Sequence, residues 1–378
     1  MYDEQITLRN SSFSWENELK RCTSSIESLK SHMLIKTDEE EDLQRVIDSH
    51  PMLITRYYLS LIDWDNPDDP VRRMIVPDTE ELNMEGSYDT SGERESTKMP
   101  GLQHKYKQDA LILSTNRCAA YCRYCFRKRL VGLPNEEVLS RFNDAVEYIR
   151  EHREINNVLI SGGDPFVLPT EIIEKFLEEL SDIDHIDFIR FGTRTPVTFP
   201  GRITSDYRLR NLLRTYSRSH KRIYVVTQFN HLQEITEKSI AAVDALIRSG
   251  VIVNNQSVLL KGVNDDPECL GALFNRLVGI GVNPYYLFQC RPVKRVKHHF
   301  QVPLSRGYEI VEEAKKLCNG HSKRFKFIMS HNSGKIEILG IMDGMIYLKY
   351  HQARNPEDIG RMFSLKINDT AAWLDDLG

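Results

Sequence analysis

The stretch Ala110–Asn116, ALILSTN, runs straight into Arg117–Cys125, RCAAYCRYC. The first part is a short apolar run suited to a β-strand. The second part places Cys118, Cys122 and Cys125 at C-x3-C-x2-C spacing on the loop that leaves the strand. Soft thiolates this close together suit zinc or an iron–sulfur cluster. Structural zinc wants a fourth ligand, usually from a second C-x2-C pair or a His pair, and no such second pair exists in the chain. Three thiolates alone suit a [4Fe-4S] cluster with one iron left open to another ligand.

Working outward from this loop, six β-like runs appear: Ala110–Asn116, Asn157–Gly162, Phe188–Gly192, Arg222–Phe229, Val251–Leu260 and Asn283–Cys290. Amphipathic stretches such as Asn135–His152, Thr170–Leu180, Glu234–Ser249 and Pro303–Leu317 separate them. Strand alternating with helix implies parallel strands with right-handed crossovers. Six units are fewer than an eight-fold barrel, so the spacing predicts an α/β fold built as a partial (β/α)6 barrel. FKFIMSHNSGKIEILGIMDGMIYLKY reads as two or three strands, a C-terminal β-hairpin segment with turns at Asn332–Gly334 and Asp343–Gly344.

Upstream of the first strand, residues 1 to about 55 read as helical, with Thr37 as N-cap of a surface helix whose first turn is acidic. WDNPDDPVRRMIVPDTEELN reads as an extended connection, and residues 85–99, EGSYDTSGERESTKM, as a mobile loop. Three units follow: 1–108 helical and extended, 109–320 the barrel, and 321–378 β-rich.

With 50 Lys+Arg against 54 Asp+Glu in 378 residues, the formal charge is -4. That balance excludes bulk attraction to nucleic acid or anionic lipid as the main activity. No apolar run approaches the roughly 20 residues of a membrane span, and MYDEQITLRNSSFSW lacks a signal-peptide pattern. A cytoplasmic protein is expected. Seven cysteines, an odd number, argue against a disulfide framework. Cys22, Cys269, Cys290 and Cys318 read as packing residues.

The second strand ends in Leu159–Pro165, LISGGDP, where Gly162 and Gly163 would let backbone approach a ligand and Ser161 and Asp164 offer acceptors. Together with the cysteine loop this resembles the radical S-adenosylmethionine (SAM) superfamily. The resemblance implies that the open iron chelates SAM and cleaves it to a 5′-deoxyadenosyl radical. It also implies that Tyr124 lies near the adenine and that Ser161–Asp164 receive the SAM amino group.

TRYYLSLIDWDNPDDPVRRMIVPDTEELN, PGLQHKY, CRYCFRKR, SGGDP, FGTRTPV, TQFNH, NNQSVLLKGVND and PYYLFQC follow one another in an order similar to the lysine 2,3-aminomutase family. That resemblance implies an isomerase in which an amino group, carried by pyridoxal phosphate (PLP) as an imine, migrates between adjacent carbons. It makes Cys118, Cys122 and Cys125 cluster ligands and Arg127 the partner of the substrate α-carboxylate. Gln256 would line the SAM and PLP pocket, and Gln228 stands where the family prototype has His. Lys335, in HNSGK, is the candidate Schiff-base lysine, so Lys335 and Arg127 are the candidate catalytic residues.

The chain also departs from the family. Asp109 stands where the family has an arginine for the PLP phosphate, a position from which a carboxylate would repel it, and His104, Lys105 or Lys107 would have to substitute. Arg291, followed by Lys294, Arg295 and Lys297, replaces the aspartate that holds the lysine substrate's distal ammonium, and the second such aspartate falls near Ile328–Met329. A distal ammonium would be repelled there, whereas a distal carboxylate would find Arg291, so an acidic amino acid such as glutamate is expected rather than lysine. The family prototype carries further cysteines for a zinc site in a C-terminal extension; with no cysteine after Cys318 here, no structural zinc is expected. A reductant such as flavodoxin or ferredoxin and a homodimer complete the expected partners. Two other readings stay open: a PLP-independent radical reaction, by elimination or on a protein-bound lysine with the basic run 291–299 meeting an acidic partner, and a non-catalytic iron–sulfur or zinc module.

Overall fold

The computed structural model describes residues 14–377, so Gly378 and most of the stretch searched for a signal peptide lie outside the described residues. Twelve strands form one sheet in which the spatial order is the chain order. They are β1 (Thr97–Met99), β2 (Leu102–Tyr106), β3 (Asp109–Thr115), β4 (Asn157–Gly162), β5 (Phe188–Gly192), β6 (Arg222–Thr227), β7 (Ile252–Leu259), β8 (Asn283–Gln289), β9 (Lys326–His331), β10 (Gly334–Met342), β11 (Met345–Ala353) and β12 (Met362–Lys366). Pairing is parallel from β3 through β9 and antiparallel at both flanks. The sheet is mixed and open, with β1 and β12 at its edges.

The parallel core follows the sequence reading closely. Helices Phe142–Glu151, Thr170–Ser181, Tyr207–Tyr216, Glu237–Arg248, Pro267–Gly279 and Leu304–Leu317 make the crossovers. Each strand divides its side chains between two faces by the two-residue repeat. On β5, Ile189 and Phe191 are buried among the core residues while Arg190 lines an interior cavity. On β7, Val253, Asn255, Ser257 and Leu259 are buried, and Gln256 and Val258 line that cavity. Each fully buried Ile, Val or Phe contributes roughly 1.5–3 kcal/mol.

Although open, the sheet curls. Asp109 at the start of β3 accepts a hydrogen bond from Gln352 Nε2 of β11 at 2.8 Å. Lys105 of β2 donates to the His331 carbonyl of β9, also at 2.8 Å. Strands far apart in sheet order therefore meet across the interior. No helix among the described residues is long and apolar enough to cross a membrane.

Several local readings are corrected. The N-cap of the Thr37–Ser49 helix is Lys36, without a side-chain cap, and Thr37 is its first residue. The stretch read as extended contains the helix Pro70–Ile75, capped by Asp69, and a 3-10 turn at Thr79–Leu82. Residues 85–99 are not a mobile loop. They contain the helical turn Glu93–Ser96 and β1, and Glu93 and Ser96 are buried. The C-terminal stretch read as two or three strands holds three, β9 to β11, of which β9 extends the parallel core, and β12 follows beyond it.

Candidate active site

The cysteine loop is fixed from the N-terminal side. Tyr121 N–H donates to the Leu53 carbonyl (2.9 Å) and Arg123 N–H to that of Met74 (2.8 Å). The Arg123 side chain is fully buried and grips Glu81 with both Nε and Nη2, each at 2.7 Å. Lys128 donates to the same carboxylate. Burial alone would raise the Glu81 carboxyl, but Arg123 and Lys128 outweigh it and hold it down at about 2. A carboxylate between two cations thus anchors the backbone on either side of Cys125.

So anchored, the loop turns Cys118, Cys122 and Cys125 into a cavity of about 360 Å³. Burial pushes the Cys118 thiol well up, and Cys125 up to about 11. Among the described residues, no group of three or more His, Cys, Asp or Glu side chains is drawn together tightly enough for a single ion. The donor set, three thiols in a cavity, fits a soft multi-iron group.

Tyr124, Arg127, Ser161, Gly162, Gly163, Asp164, Gln228, Gln256, Arg291 and Lys335 line the same cavity. Its walls are the strands and the loops at their C-terminal ends, where parallel α/β folds place ligands. The glycines, however, make room for protein rather than for a ligand. Gly162 has φ 114°, a conformation that favours glycine, and a Cβ there would strike the Thr115 carbonyl. A Cβ on Gly163 would strike the Arg117 carbonyl. These glycines seat the cysteine loop against β4. The Asp164 carboxylate is likewise engaged, by Thr193 Oγ1 (2.6 Å) and the N–H groups of Phe166 (3.0 Å) and Arg194 (2.8 Å).

Arg127 is buried and paired with Glu93, Nε to Oε1 at 3.2 Å. Its Nη1 makes longer contacts to Ser161 Oγ (3.5 Å) and the Gly162 carbonyl (3.4 Å). Glu93 also accepts from Arg129 at 2.8 Å. Burial opposes ionisation of Glu93, but Arg127 and Arg129 hold its carboxyl at about 2. The guanidinium of Arg291 lies 4.1 Å from the Phe126 ring centre, and that of Arg127 lies 4.6 Å from the same centre. Arg291 donates to the hydroxyls of Ser91 (2.8 Å) and Ser330 (2.9 Å). Lys105 donates to the Ser91 and His331 carbonyls, at 2.7 and 2.8 Å.

Lys335, the second residue of β10, lies between two aromatic rings, its Nζ 5.5 Å from the centre of Tyr106 and 5.3 Å from that of Tyr286. Burial lowers its amine to about 8, against the upward pull of Asp109. Asp109 does not stand as a bare negative charge. Arg190 Nη2 binds it at 2.9 Å and Gln352 at 2.8 Å, so its repulsion toward a phosphate is largely offset. The amine and its aromatic walls fit PLP, and Lys105 is available to its phosphate.

Once the close pairs Arg190–Asp109, Arg194–Glu234 and Arg127–Glu93–Arg129–Glu137 are set aside, Lys105, Arg291 and Lys335 remain with neutral partners. Arg291 stays charged at neutral pH, while burial lowers Lys105 to about 7 and Lys335 to about 8, so the cavity's surplus positive charge rests on Arg291. By contrast, part of the basic run after Arg291 finds partners elsewhere in the protein. Lys297 pairs with Glu85 and His298 with Glu80 (2.9 Å), and Arg295 donates to the Glu81 carbonyl (3.0 Å).

Glu81, Glu93, Arg190 and Arg194 were not singled out from the sequence. Arg190 had a signal, as a charge alternating with apolar residues in FIRFG, and Arg194 follows the C-terminal end of β5. The two glutamates sit in polar stretches with no periodicity.

Comparison with known proteins follows the same lines. The sequence profile of the Radical SAM superfamily matches residues 112–269. A relative in Aquifex aeolicus named for L-lysine 2,3-aminomutase is 41% identical over 343 residues, 90% of this chain and 91% of that one. The L-lysine 2,3-aminomutase of Clostridium subterminale is 38% identical over 81% of this chain and 73% of its own length. The glutamate 2,3-aminomutase of Clostridioides difficile is 35% identical over 81% and 72%.

Proposed function

Because the chain belongs to the lysine 2,3-aminomutase family of radical SAM enzymes, we propose that it is an isomerase moving an amino group between adjacent carbons of an acidic amino acid such as glutamate. Cys118, Cys122 and Cys125 would hold a [4Fe-4S] cluster. Tyr124, Ser161, Gln228 and Gln256 would form the SAM site, with Gly162, Gly163 and Asp164 shaping it from behind. Bound there, cluster and SAM supply a 5′-deoxyadenosyl radical able to abstract a substrate hydrogen, once a reductant such as flavodoxin or ferredoxin delivers an electron. Lys335 would hold PLP, which supplies an anchor for the migrating amino group. We also read the curled six-unit core, 109–320, as a partial barrel, flanked by units 1–108 and 321–378.

The protein's own residues bind and orient the substrate. Arg127 would take one carboxylate through Nη1, the arm that Glu93 leaves least engaged. Arg291, over the same Phe126 ring, would take the second carboxylate. An ammonium in that place would meet Arg291 and Lys105 with no carboxylate to pair with it.

One observation carries this reading: the cavity holds Arg291 on two neutral hydroxyls. The engagement of Lys297, His298 and Arg295 within the protein weakens the alternative of a protein-bound substrate, since part of the basic run is already taken up. The test is anaerobic incubation of cluster-reconstituted protein with SAM, reductant, PLP and an amino-acid panel, read by mass spectrometry. Glutamate should be turned over faster than lysine. Lysine turnover equal to or above that of glutamate would refute the substrate assignment, and product formed without PLP would favour the PLP-independent alternative.

A further inference from the structure

Arg194 follows β5 and reaches the cysteine loop. Its Nη1 donates to the Cys122 sulfur at 2.9 Å and its Nε to the Gln228 carbonyl at 3.2 Å. Nη2 donates to the Tyr58 hydroxyl at 2.8 Å and to the Glu234 carboxylate. Glu234 is fully buried, and its other oxygen accepts the backbone N–H groups of Asn230 (2.6 Å) and His231 (3.0 Å). The Arg194 backbone N–H is itself held by Asp164 at 2.8 Å.

Both sides of this guanidinium are therefore defined. A buried carboxylate meets one edge and leaves the other aimed at a single sulfur, a direction that a planar, rigid fork can hold and a flexible ammonium cannot. The rings of Tyr58 and Tyr124 lie against it, with centres 5.2 and 5.6 Å from the guanidinium carbon. Neutralising Arg194 does not require Cys122, because Glu234 already does so. The sulfur contact is an additional feature, in which a side-chain cation donates to one of the three thiols.

Hydrogen bonds and positive charge at the ligand sulfurs tune the potential of an iron–sulfur cluster. The reduced cluster carries one more negative charge than the oxidised one, so a cation donating to a ligand sulfur favours the reduced state. We propose that Arg194 is a positioning residue that holds Cys122 and raises the cluster's reduction potential, with Glu234 setting how much of its charge the sulfur feels. This rests on the reading that the three cysteines bind a cluster.

The test is an anaerobic redox titration of the reconstituted full-length protein, followed by the electron paramagnetic resonance signal of the reduced cluster, with iron measured on each sample. Arg194→Met should shift the midpoint to more negative potential and Arg194→Lys should shift it less. Glu234→Gln, which frees the positive charge, should shift it to more positive potential. A merely structural role predicts no such opposite signs. Midpoints for Arg194→Met and Glu234→Gln that match wild type at equal iron content would overturn the proposal. Should Arg194→Met fail to retain iron, the direction for Glu234→Gln decides. Failure of wild-type protein to take up iron would instead overturn the cluster reading itself.

Discussion

Cys122 and Lys335 line one cavity but are held by different means. At the cysteine end, three buried carboxylates have opposite charges beside them, Glu81 between Arg123 and Lys128, Glu234 against Arg194, and Glu93 between Arg127 and Arg129, while Asp164 is held by a hydroxyl and backbone N–H groups. Backbone hydrogen bonds and close-packed glycines add further constraints. At the lysine end, Arg291, Lys105 and Lys335 meet hydroxyls, carbonyls and aromatic faces. The first arrangement fixes a geometry before any ligand arrives. The second leaves charge to be completed by the ligand. Precision at the thiols and demand for an anion at the amine are two distinct uses of buried charge.

The contrast is broken most forcefully at Glu81. Replacing it with Gln leaves Arg123 and Lys128 buried without a countercharge, and should cost about 3–5 kcal/mol in chemical denaturation. Arg291→Ala, at the other end, removes a cation that has no acidic partner and should change stability by less than about 1 kcal/mol. Equal losses for the two variants would show that the ends are not built differently.

Lys335 sharpens the comparison through pH. A lysine whose amine is lowered to about 8 is neutral, and able to react with an aldehyde, at lower pH than one at the ordinary value of 10.5. PLP capture, followed by its absorbance band and checked for loss in Lys335→Ala, should rise with pH through a midpoint near 8. Asp109 pulls this amine upward, so Asp109→Asn should move the midpoint lower still. A midpoint near the ordinary value would mean that the amine is not desolvated.

The parallel core was legible in the sequence because runs such as Asn157–Gly162 and Phe188–Gly192 are apolar, short and bounded by polar or glycine-containing turns. The observed strands keep those bounds. β1, β2 and β12 were missed because they are short or carry polar residues on an exposed face, which blurs the two-residue alternation. The candidate residues lie on one cavity because each sits on a core strand or on a loop at a strand end. What could not be read was which charge meets which. Glu93 and Arg127 are 34 residues apart in the chain and joined only by the fold. The same is true of Asp109 and Arg190, whose pairing turns an apparent obstacle to phosphate into a nearly neutral wall.

The central claim is that surplus positive charge beside Arg291 selects an acidic substrate. Calorimetric titration of glutamate and lysine into the anaerobic protein, loaded with cluster, SAM and PLP, tests it without depending on turnover. Glutamate should bind more tightly than lysine, and Arg291→Ala should weaken glutamate by about 30-fold, on the order of 2 kcal/mol, while leaving lysine unchanged or improved. Lysine binding as tightly as glutamate, or glutamate binding indifferent to Arg291→Ala, would contradict it.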